Sequence, residues 1–417
     1  MDEGPELSKP MSSRTKYFVV SSSTCLTILL LIGSVIGKSA SPDDTYKHIG
    51  VFSDVVSRIK SEYVEEPDMK SVTLGALNGM LEAIDPFASY LNAEQYKDYL
   101  KNKGLKRADV GLILSKKFGF VGVVGTIAGS PAAKTGFSTG DMIETIGGVA
   151  TRDMPLAYAA LLLQGDAGSA VELSVVSGRH PEPETRKLTR AFYPLPPVES
   201  KMLAGQVGYL NVDALSQAQV AEVATAVKQL QKDGAQKFVL DLRNCAIGSP
   251  EDGIALANLF MNKGRITYMV GQRVPRQNFD ADPAKAITAL PVAVLTNRGT
   301  ADAAEIAAAA LMDNKRGQVV GERTYGDAAL RRAITMEDGG AIILSVAKYY
   351  PPNSSDGKAI QDTGVTPATI VNEPDSQVDL DDNGEPIPEA PGAAKPGLKK
   401  VEDDAVVKKA LEVLAKG

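Results

Sequence analysis

The sequence predicts an α/β protein of several domains that follows a membrane-spanning N-terminal helix. Three observations support this prediction. The chain has 417 residues, of which 44% are hydrophobic, which is enough for two or three domains that each bury a core. Residues 17–37 form an uncharged, largely apolar stretch. From Gly208 onward, short apolar runs alternate with helical patterns, which is typical of an α/β core.

The N-terminal segment has the features of an export anchor. Residues 17–37 are long enough, as a helix, to cross a hydrocarbon layer of about 30 Å. Arg14 and Lys16 precede this stretch within residues 1–16, and basic residues on that flank favour a cytoplasmic N-terminus. A cleaved signal peptide is the alternative, because the Ser and Thr residues at 21–24 shorten the strongly apolar part.

Composition argues against several classes of function. The net charge is −6 and the basic residues are scattered, so the chain lacks the basic face that nucleic-acid binding needs. The two cysteines, Cys25 and Cys245, do not indicate a disulfide framework. The two histidines, His48 and His180, lie in unrelated contexts, which makes a Ser-His-Asp triad or a zinc site hard to build. We therefore predict no nucleic-acid partner, no cofactor and no metal.

Residues 46–107 are predicted to be mainly helical. Val51, Val55 and Ile59 recur at helical spacing, and a second run with the same spacing ends at Asp85-Pro86. We expect two amphipathic helices whose apolar stripes are packed in a core.

Residues 108–192 contain short apolar runs, turns and one helix. A turn that starts at Gly129 leads to a strand with Ile143 and Ile146, and paired glycines follow that strand. The string at 129–148 resembles the PDZ hallmark G-S-P-A-x-x-A-G-x-x-x-G-D-x-I-x-x-I-x-G. The resemblance implies a β-domain that captures a polypeptide C-terminus as an added strand.

The resemblance also locates the peptide-binding loop. In a PDZ domain, backbone N–H groups of a glycine-containing loop receive the carboxylate of the ligand, and this loop would be Val110, Gly111 and Leu112. The helix near 156–163 would form the other wall of the groove. Asp109 precedes the loop, and its charge opposes a terminal carboxylate. A domain that serves only as a spacer or lid is the alternative.

Residues 193–372 are predicted to fold as an α/β core. Residues 207–212 and 237–243 are the first strands, and an amphipathic helix at 217–232 lies between them. A further apolar strand at 291–296 precedes a small-residue segment. After this core, residues 373–403 are acidic at first and rich in Pro and Gly, which indicates a linker. Residues 404–417 restore a helical stripe and are expected to form a docking helix.

The segment at 297–306, Asn-Arg-Gly-Thr-Ala-Asp-Ala-Ala-Glu-Ile, is followed at 324–327 by Thr-Tyr-Gly-Asp. These segments resemble N-x-G-[ST]-A-S-A-S-E-[IV] and T-F-G-K-G of the C-terminal processing peptidases, the tail-specific serine proteases of family S41. The resemblance implies a peptidase core with a crotonase-like sheet, in which that first serine is the nucleophile and the lysine is its general base. Asp302 and Asp327 stand at these two positions, and Arg331 replaces a family glutamine.

The same resemblance indicates the oxyanion region. Residues 241–248 correspond to the family string D-L-R-N-N-P-G-G, whose glycine region supplies one N–H donor, here Gly248 or Ile247. The residue after the nucleophile, Ala303, supplies the other donor. Ile247 replaces the first glycine and adds a β-branched side chain where a close backbone approach is needed. We therefore expect Ile247 to disturb this region.

The substitutions predict a pseudoprotease. A carboxylate at position 302 is a weak nucleophile toward an amide, and its charge opposes a developing oxyanion. Asp327 cannot take the place of a lysine base without a new nucleophile. We hypothesise that Arg331, or Arg332, neutralises Asp327 or Asp302 in an ion pair.

Three other catalytic arrangements find less support in the sequence. An aspartic-protease dyad of Asp302 and Asp327 lacks the D-[ST]-G context. Thr300 is expected to be a turn residue, because family members have threonine there beside the real serine. Cys245 has no histidine nearby to form a thiolate, so a buried core position is expected.

The sequence thus predicts a membrane-anchored member of family S41 that binds polypeptide without cleaving it. The predicted partners are polypeptide C-termini, together with an active homologous protease or a second copy of the chain. The anchor and the resemblance together indicate a single-pass protein of the bacterial inner membrane with its main body in the periplasm. A serine-type C-terminal processing endopeptidase that retains activity is the alternative.

Overall fold

This computed structural model describes residues 42–103, 105–117, 119–177, 180–353, 357–372 and 401–416. The chain divides into two compact units, Met1–Thr73 and Leu74–Gly417. No helix within these described ranges is long and apolar enough to cross a membrane. The predicted membrane segment at 17–37 lies outside the described residues, and so does most of the predicted linker.

The described part of the first unit is helical. Helix α1 covers Pro42–Glu62, and helix α2 covers Met69–Ile84, so the prediction of two helices is confirmed. The expectation that the first apolar stripe is packed is wrong for its N-terminal half, because Val51 and Val55 are 61% and 49% exposed. Helical spacing identifies an amphipathic helix, but it does not identify what covers the apolar side.

The second unit contains a short strand and a capped helix before its first sheet domain. Strand β1 covers Ser89–Leu91 and helix α3 covers Ala93–Asn102. Asn92 begins this helix, because its side chain accepts a hydrogen bond from the Gln95 N–H at 3.0 Å, and the Gln95 side chain accepts one from the Asn92 N–H at 3.1 Å. This reciprocal arrangement is a capping box.

The region predicted to be a PDZ domain forms an antiparallel sheet with the order β2-β3-β4-β6-β7, in which β5 pairs with β4. The strands are β2 (Leu112–Lys117), β3 (Phe120–Thr126), β4 (Met142–Ile146), β5 (Val149–Ala150), β6 (Ala170–Ser177) and β7 (His180–Thr189), and helix α4 is Leu156–Leu163. Ile143, Leu173 and Leu163 belong to the buried core of this domain. The predicted strand at Ile143 and the turn after it are confirmed, since β4 and β5 form a hairpin.

The α/β core contains a sheet with the order β17-β14-β13-β10-β9-β8, in which β8 alone among these described strands runs antiparallel to its neighbour. A second sheet has the order β1-β16-β11-β12, and β15 pairs with β16. The strands are β8 (Glu199–Leu203), β9 (Val207–Asn211), β10 (Lys237–Asp241), β11 (Arg265–Val270), β12 (Gln277–Asp280), β13 (Val292–Thr296), β14 (Gly317–Gly321), β15 (Ala329–Thr335), β16 (Ala341–Tyr350) and β17 (Thr369–Ile370). The helices are α5 (Gln217–Lys232), α6 (Pro250–Phe260), α7 (Ala303–Asp313), α8 (Ile360–Thr363) and α9 (Ala405–Lys416).

Helix α9 packs against one face of the parallel sheet, as the apolar stripe predicted. Val407 and Leu414 are buried in a cluster that includes Val239 of β10. Arg243 connects the same helix to the end of β10, because its guanidinium donates a hydrogen bond to Asp404 at 2.9 Å. The sheet thus holds the loops after β10 and β13 in fixed positions, and these loops carry the predicted catalytic and oxyanion residues.

Candidate active site

Asp302 occupies a strained turn between strand β13 and helix α7. Its φ is +50° and its ψ is −113°, a backbone conformation that residues with a side chain rarely adopt. Such strain persists only where neighbouring structure holds the residue in place, and it concentrates at functional sites. The predicted nucleophile position therefore has an unusual backbone, although the residue there is an acid.

The two predicted oxyanion donors lie next to each other. Within the described part of the chain, the N–H groups of Gly248 and Ala303 donate to no other group. Gly248 has a φ of +152°, and a Cβ there would fall 2.8 Å from the Ala303 Cβ, so only glycine fits. The free N–H groups could receive an oxygen atom of a ligand.

Ile247 does not distort the backbone of this region. Its φ is negative, and its carbonyl accepts a hydrogen bond from the Leu215 N–H at 2.8 Å. The expectation that Ile247 disturbs the oxyanion region is therefore wrong for the backbone. The position that requires glycine is Gly248, and this glycine is present.

A pair of asparagines joins the oxyanion loop to the turn before Asp302. The Asn297 side chain accepts a hydrogen bond from the Asn244 N–H at 2.9 Å and donates one to the Asn244 Oδ1 at 3.0 Å. The Ala301 N–H also donates to the Cys245 carbonyl at 3.0 Å. These bonds fix the two loops relative to each other.

Glu305 organises the centre of the site. This residue is fully buried and accepts hydrogen bonds from the N–H groups of Asp302 at 2.9 Å, Gly326 at 2.7 Å and Asp327 at 2.7 Å. The Thr324 hydroxyl donates to the same carboxylate. One buried acid thus holds both the nucleophile position and the base position.

Asp327 is paired with Arg331. The Arg331 Nη2 donates to the Asp327 Oδ1, and the Arg331 Cζ lies 4.3 Å from the centre of the Phe87 ring. The Phe87 ring in turn makes an edge contact with Tyr325, with 5.9 Å between ring centres. The hypothesis of an ion pair is confirmed for Arg331 and Asp327. Arg332 is exposed and does not contribute.

Burial and mutual repulsion raise the pKa values of the acids in this site. Burial, and then the charge of Asp327, raise the pKa of Asp302 to about 8, while Arg331 opposes this shift. Burial raises the pKa of Glu305 to about 7, against the hydrogen bonds from Thr324, Asp327 and Gly326. Burial also raises the pKa of Asp327, and Arg331 opposes it. At neutral pH, Asp302 is therefore mainly protonated, whereas Arg331 favours the charged form of Asp327.

We expect Asp302→Asn to remove a pH dependence of folding stability. The folded pKa of about 8 lies above the unfolded value of about 4, so the native state binds the additional proton between these values. The stability that this proton contributes is present below about pH 4 and is lost as the pH rises through about 8. The wild type should lose about 3–4 kcal/mol between pH 5 and pH 8 through this group, and Asp302→Asn should lose less.

Urea unfolding at pH 5, 6, 7 and 8 measures this difference. Asp98→Asn is a matched control, because Asp98 is exposed on helix α3 and its substitution should leave the slope unchanged. Parallel stability curves for the wild type and Asp302→Asn would contradict the expectation.

The other catalytic arrangements are not formed. Thr300 is a buried turn residue, as expected: its hydroxyl donates to the Leu242 carbonyl at 2.8 Å and accepts from the Asn297 N–H at 3.0 Å. Cys245 is fully buried, and burial raises the pKa of its thiol, so it is a core residue. Among the described residues, no hydrogen bond joins the carboxyl groups of Asp302 and Asp327.

The predicted peptide-binding loop of Val110, Gly111 and Leu112 lies at the start of β2. Gly111 has a φ of +82°, and a side chain there would collide with Ser130. The Val110 carbonyl accepts from the Ala132 N–H at 2.8 Å, and the Gly111 carbonyl accepts from the Ile127 N–H at 2.9 Å. The loop is therefore fixed by the rest of the domain.

A cavity of about 390 Å³ lies between this loop and the peptidase core. Leu112 and Leu114 of β2 and Leu156 and Leu163 of α4 line it, as expected for a peptide groove between this strand and this helix. The same cavity reaches the ion pair of Asp327 and Arg331. The groove and the base position thus share one open space.

The sequence did not reveal two important residues of the site. Glu305 stands three residues after Asp302, the spacing of a capping box, and this signal could have identified it. Phe87 carries no such signal, because its contact with Arg331 joins residues that are far apart in the chain.

Comparisons with known proteins agree with these features. A sequence profile described as peptidase family S41 matches residues 206–371, and a PDZ domain profile matches residues 122–177. A carboxy-terminal-processing protease of Bartonella bacilliformis is 30% identical over 372 residues, which are 87% of this chain and 84% of the relative. A carboxyl-terminal-processing protease of Synechocystis is 33% identical and covers 80% and 78%.

A solved protease structure has a fold similar to that of this chain. The photosystem II D1 C-terminal processing protease is 28% identical to this chain, with a TM-score of 0.62. The similarity covers 77% of this chain and 92% of the solved one. The similarity therefore extends over the greater part of both chains.

Proposed function

The chain belongs to peptidase family S41, among the carboxy-terminal-processing proteases with a PDZ domain, and on this premise we propose that it is a pseudoprotease that binds polypeptide. One observation carries the proposal. The positions of the family serine and lysine hold Asp302 and Asp327, and Asp327 is paired with Arg331. The serine that a Ser-Lys mechanism needs is thus replaced by an acid, and the lysine is replaced by an acid that is paired with Arg331.

The chemistry of these residues supports the absence of cleavage. A mainly protonated Asp302 is a poor nucleophile toward an amide, and in its charged form it would oppose the negative oxygen of the tetrahedral intermediate. Asp327 already accepts a hydrogen bond from Arg331, and it has no hydroxyl group to deprotonate at position 302. The loss of one member of such a catalytic unit lowers the rate by several powers of ten.

The chain can still bind a peptide in the cavity between β2 and α4. The cavity between β2 and α4 has apolar walls, and PDZ domains bind an extended peptide as an additional strand. We propose that the chain captures polypeptide in this groove, for which the PDZ resemblance indicates C-termini, or modulates an active homologous protease. A second copy of the chain is the alternative to the homologous protease as its partner.

An active serine-type endopeptidase is the second candidate. The free N–H groups of Gly248 and Ala303 favour it, because they retain the geometry of an oxyanion site. The relatives from Bartonella bacilliformis and Synechocystis are named as proteases. Activity in this chain would require a nucleophile other than the family serine.

We also propose that the chain is exported and anchored in a bacterial inner membrane, with its main body in the periplasm. The uncharged stretch at 17–37 and the basic residues Arg14 and Lys16 support this location. Protease protection in sealed membrane vesicles tests the orientation.

A comparison of binding and cleavage tests the proposed function. The full chain is incubated with unstructured peptides that end in apolar residues, and both anisotropy and peptide mass are followed. We expect binding without cleavage. Cleavage that disappears in Asp302→Ala or Asp327→Ala would contradict the pseudoprotease proposal. Cleavage that persists in both variants and stays with the chain through purification would contradict it as well, because it would indicate a nucleophile elsewhere in the chain.

A further inference from the structure

The carboxylate position of the PDZ groove is already filled by a residue of the chain. The Asp109 Oδ1 accepts a hydrogen bond from the Gly111 N–H, which is one of the amides that would receive the terminal carboxylate of a ligand. The Tyr193 hydroxyl donates to the same oxygen at 3.3 Å. An internal carboxylate thus stands where a ligand carboxylate would be bound.

The backbone of Asp109 is fixed by its neighbours. Its N–H donates to the Ala191 carbonyl at 3.1 Å, and its own carbonyl accepts from the Ala191 N–H at 3.0 Å. Gly111 is equally fixed, because its positive φ and the nearby Ser130 allow no side chain. A ligand carboxylate would therefore have to approach or displace the Asp109 carboxylate, because the loop that carries it is fixed.

The surroundings offset only part of this charge. Arg190 interacts electrostatically with Asp109, but its guanidinium donates to the carbonyls of Leu162 and Leu163 at 2.7 Å and 2.9 Å. At the other side of the cavity, Arg331 is paired with Asp327. Among the described residues that line it, the cavity thus presents apolar walls, two carboxylates and one cation, Arg331, which is already paired with Asp327.

We infer that Asp109 makes this groove a receptor for internal segments of polypeptide and selects against free C-termini. An internal apolar segment brings no charge to the loop, and it can still pair its backbone with β2. The cavity also continues past the loop toward the peptidase core, which gives space to a chain that does not end there. This inference rests on the proposed peptide capture and names the part of the polypeptide that is captured.

Three labelled probes of alternating valine and alanine test the inference with the full chain. The first ends in a free carboxylate, the second is its C-terminal amide, and the third continues with Gly-Ser-Gly. We expect the wild type to bind the second and third probes about fivefold more tightly than the first. The affinities are measured by fluorescence anisotropy at one fixed salt concentration.

Two variants of Asp109 separate the effect of its charge from the effect of its hydrogen bond with the Gly111 N–H. Asp109→Asn keeps an oxygen for the Gly111 N–H but removes the charge, so the difference between the probes should shrink. Asp109→Gly frees the amide, and the free acid should then bind about tenfold more tightly than the amide. Glu172→Gln is the matched control, because Glu172 is an exposed acid of the same domain, and this variant should keep the wild-type preference.

The outcomes separate this inference from the proposed function. A wild type that prefers the free acid over the amide would overturn the role of Asp109 and leave peptide capture standing. If no probe binds to the wild type or to either Asp109 variant, peptide capture itself is refuted, and the inference is refuted with it.

Discussion

The triple variant Asp302→Ser, Asp327→Lys, Arg331→Gln should cleave peptides at least about 100-fold faster than the wild type. The structure retains the rest of the machinery that this chemistry needs. Asp302 lies in a strained turn at the start of helix α7, and the N–H groups of Gly248 and Ala303 are free. The missing parts are three side chains.

The double variant that keeps Arg331 should remain close to background. A guanidinium carries only donors, so it cannot accept a hydrogen bond from the new lysine, whereas a glutamine oxygen can. Without Asp327, Arg331 would also lose its anionic partner in a half-buried position. The third substitution thus decides whether a neutral lysine is oriented toward the new serine.

Peptide mass analysis over time measures both variants. The variant Asp327→Lys, Arg331→Gln, which retains Asp302, is the control for background cleavage. Equal activity in the double and triple variants would show that the argument about Arg331 is wrong. An inactive but folded triple variant would show that other changes also block the site.

Glu305→Ala should lower the free energy of unfolding by about 3–5 kcal/mol. The buried carboxylate accepts from three backbone N–H groups and one hydroxyl, and alanine leaves all four donors without this partner. Glu305→Gln should cost less, about 1–3 kcal/mol, because its amide retains one accepting oxygen but adds donors that face the N–H groups. Urea unfolding at pH 8 measures both.

Glu251→Ala provides the comparison for this experiment. Glu251 is an exposed acid in the first turn of helix α6, where its substitution should cost less than about 1 kcal/mol. A loss of stability in Glu305→Ala that is no larger than in Glu251→Ala would contradict the central role of Glu305.

The regular elements of the core could be predicted from local pattern. Helix α5 covers Gln217–Lys232, as its apolar spacing predicts, and Ser216 begins it by accepting a hydrogen bond from the Ala218 N–H. Strands β10 and β13 are buried on both faces, so their apolar runs are unmistakable. Helix α1 shows the limit of such patterns, because its spacing is helical but Val51 is exposed.

The site could be predicted only where a motif marks it. The motifs located Asp302, Asp327 and Arg331. The charges predicted that Arg331 or Arg332 neutralises Asp327 or Asp302, and the structure forms the pair of Arg331 and Asp327. The role of Glu305 depends on Gly326 and Asp327, which the fold brings to it from a later loop. For Ile247, the backbone part of the expectation was wrong because sequence alone does not give φ, and the residue with a positive φ is the next one, Gly248.

The carboxylate of Glu305 couples the movements of the two active-site loops. Because it accepts from the Asp302 N–H and the Asp327 N–H at the same time, a displacement of either loop pulls on the other. If a protein that docks beside Arg331 displaces the loop of Asp327, the first turn of helix α7 would therefore move as well. The loops of Asp302 and Asp327 are in this respect coupled through one buried acid.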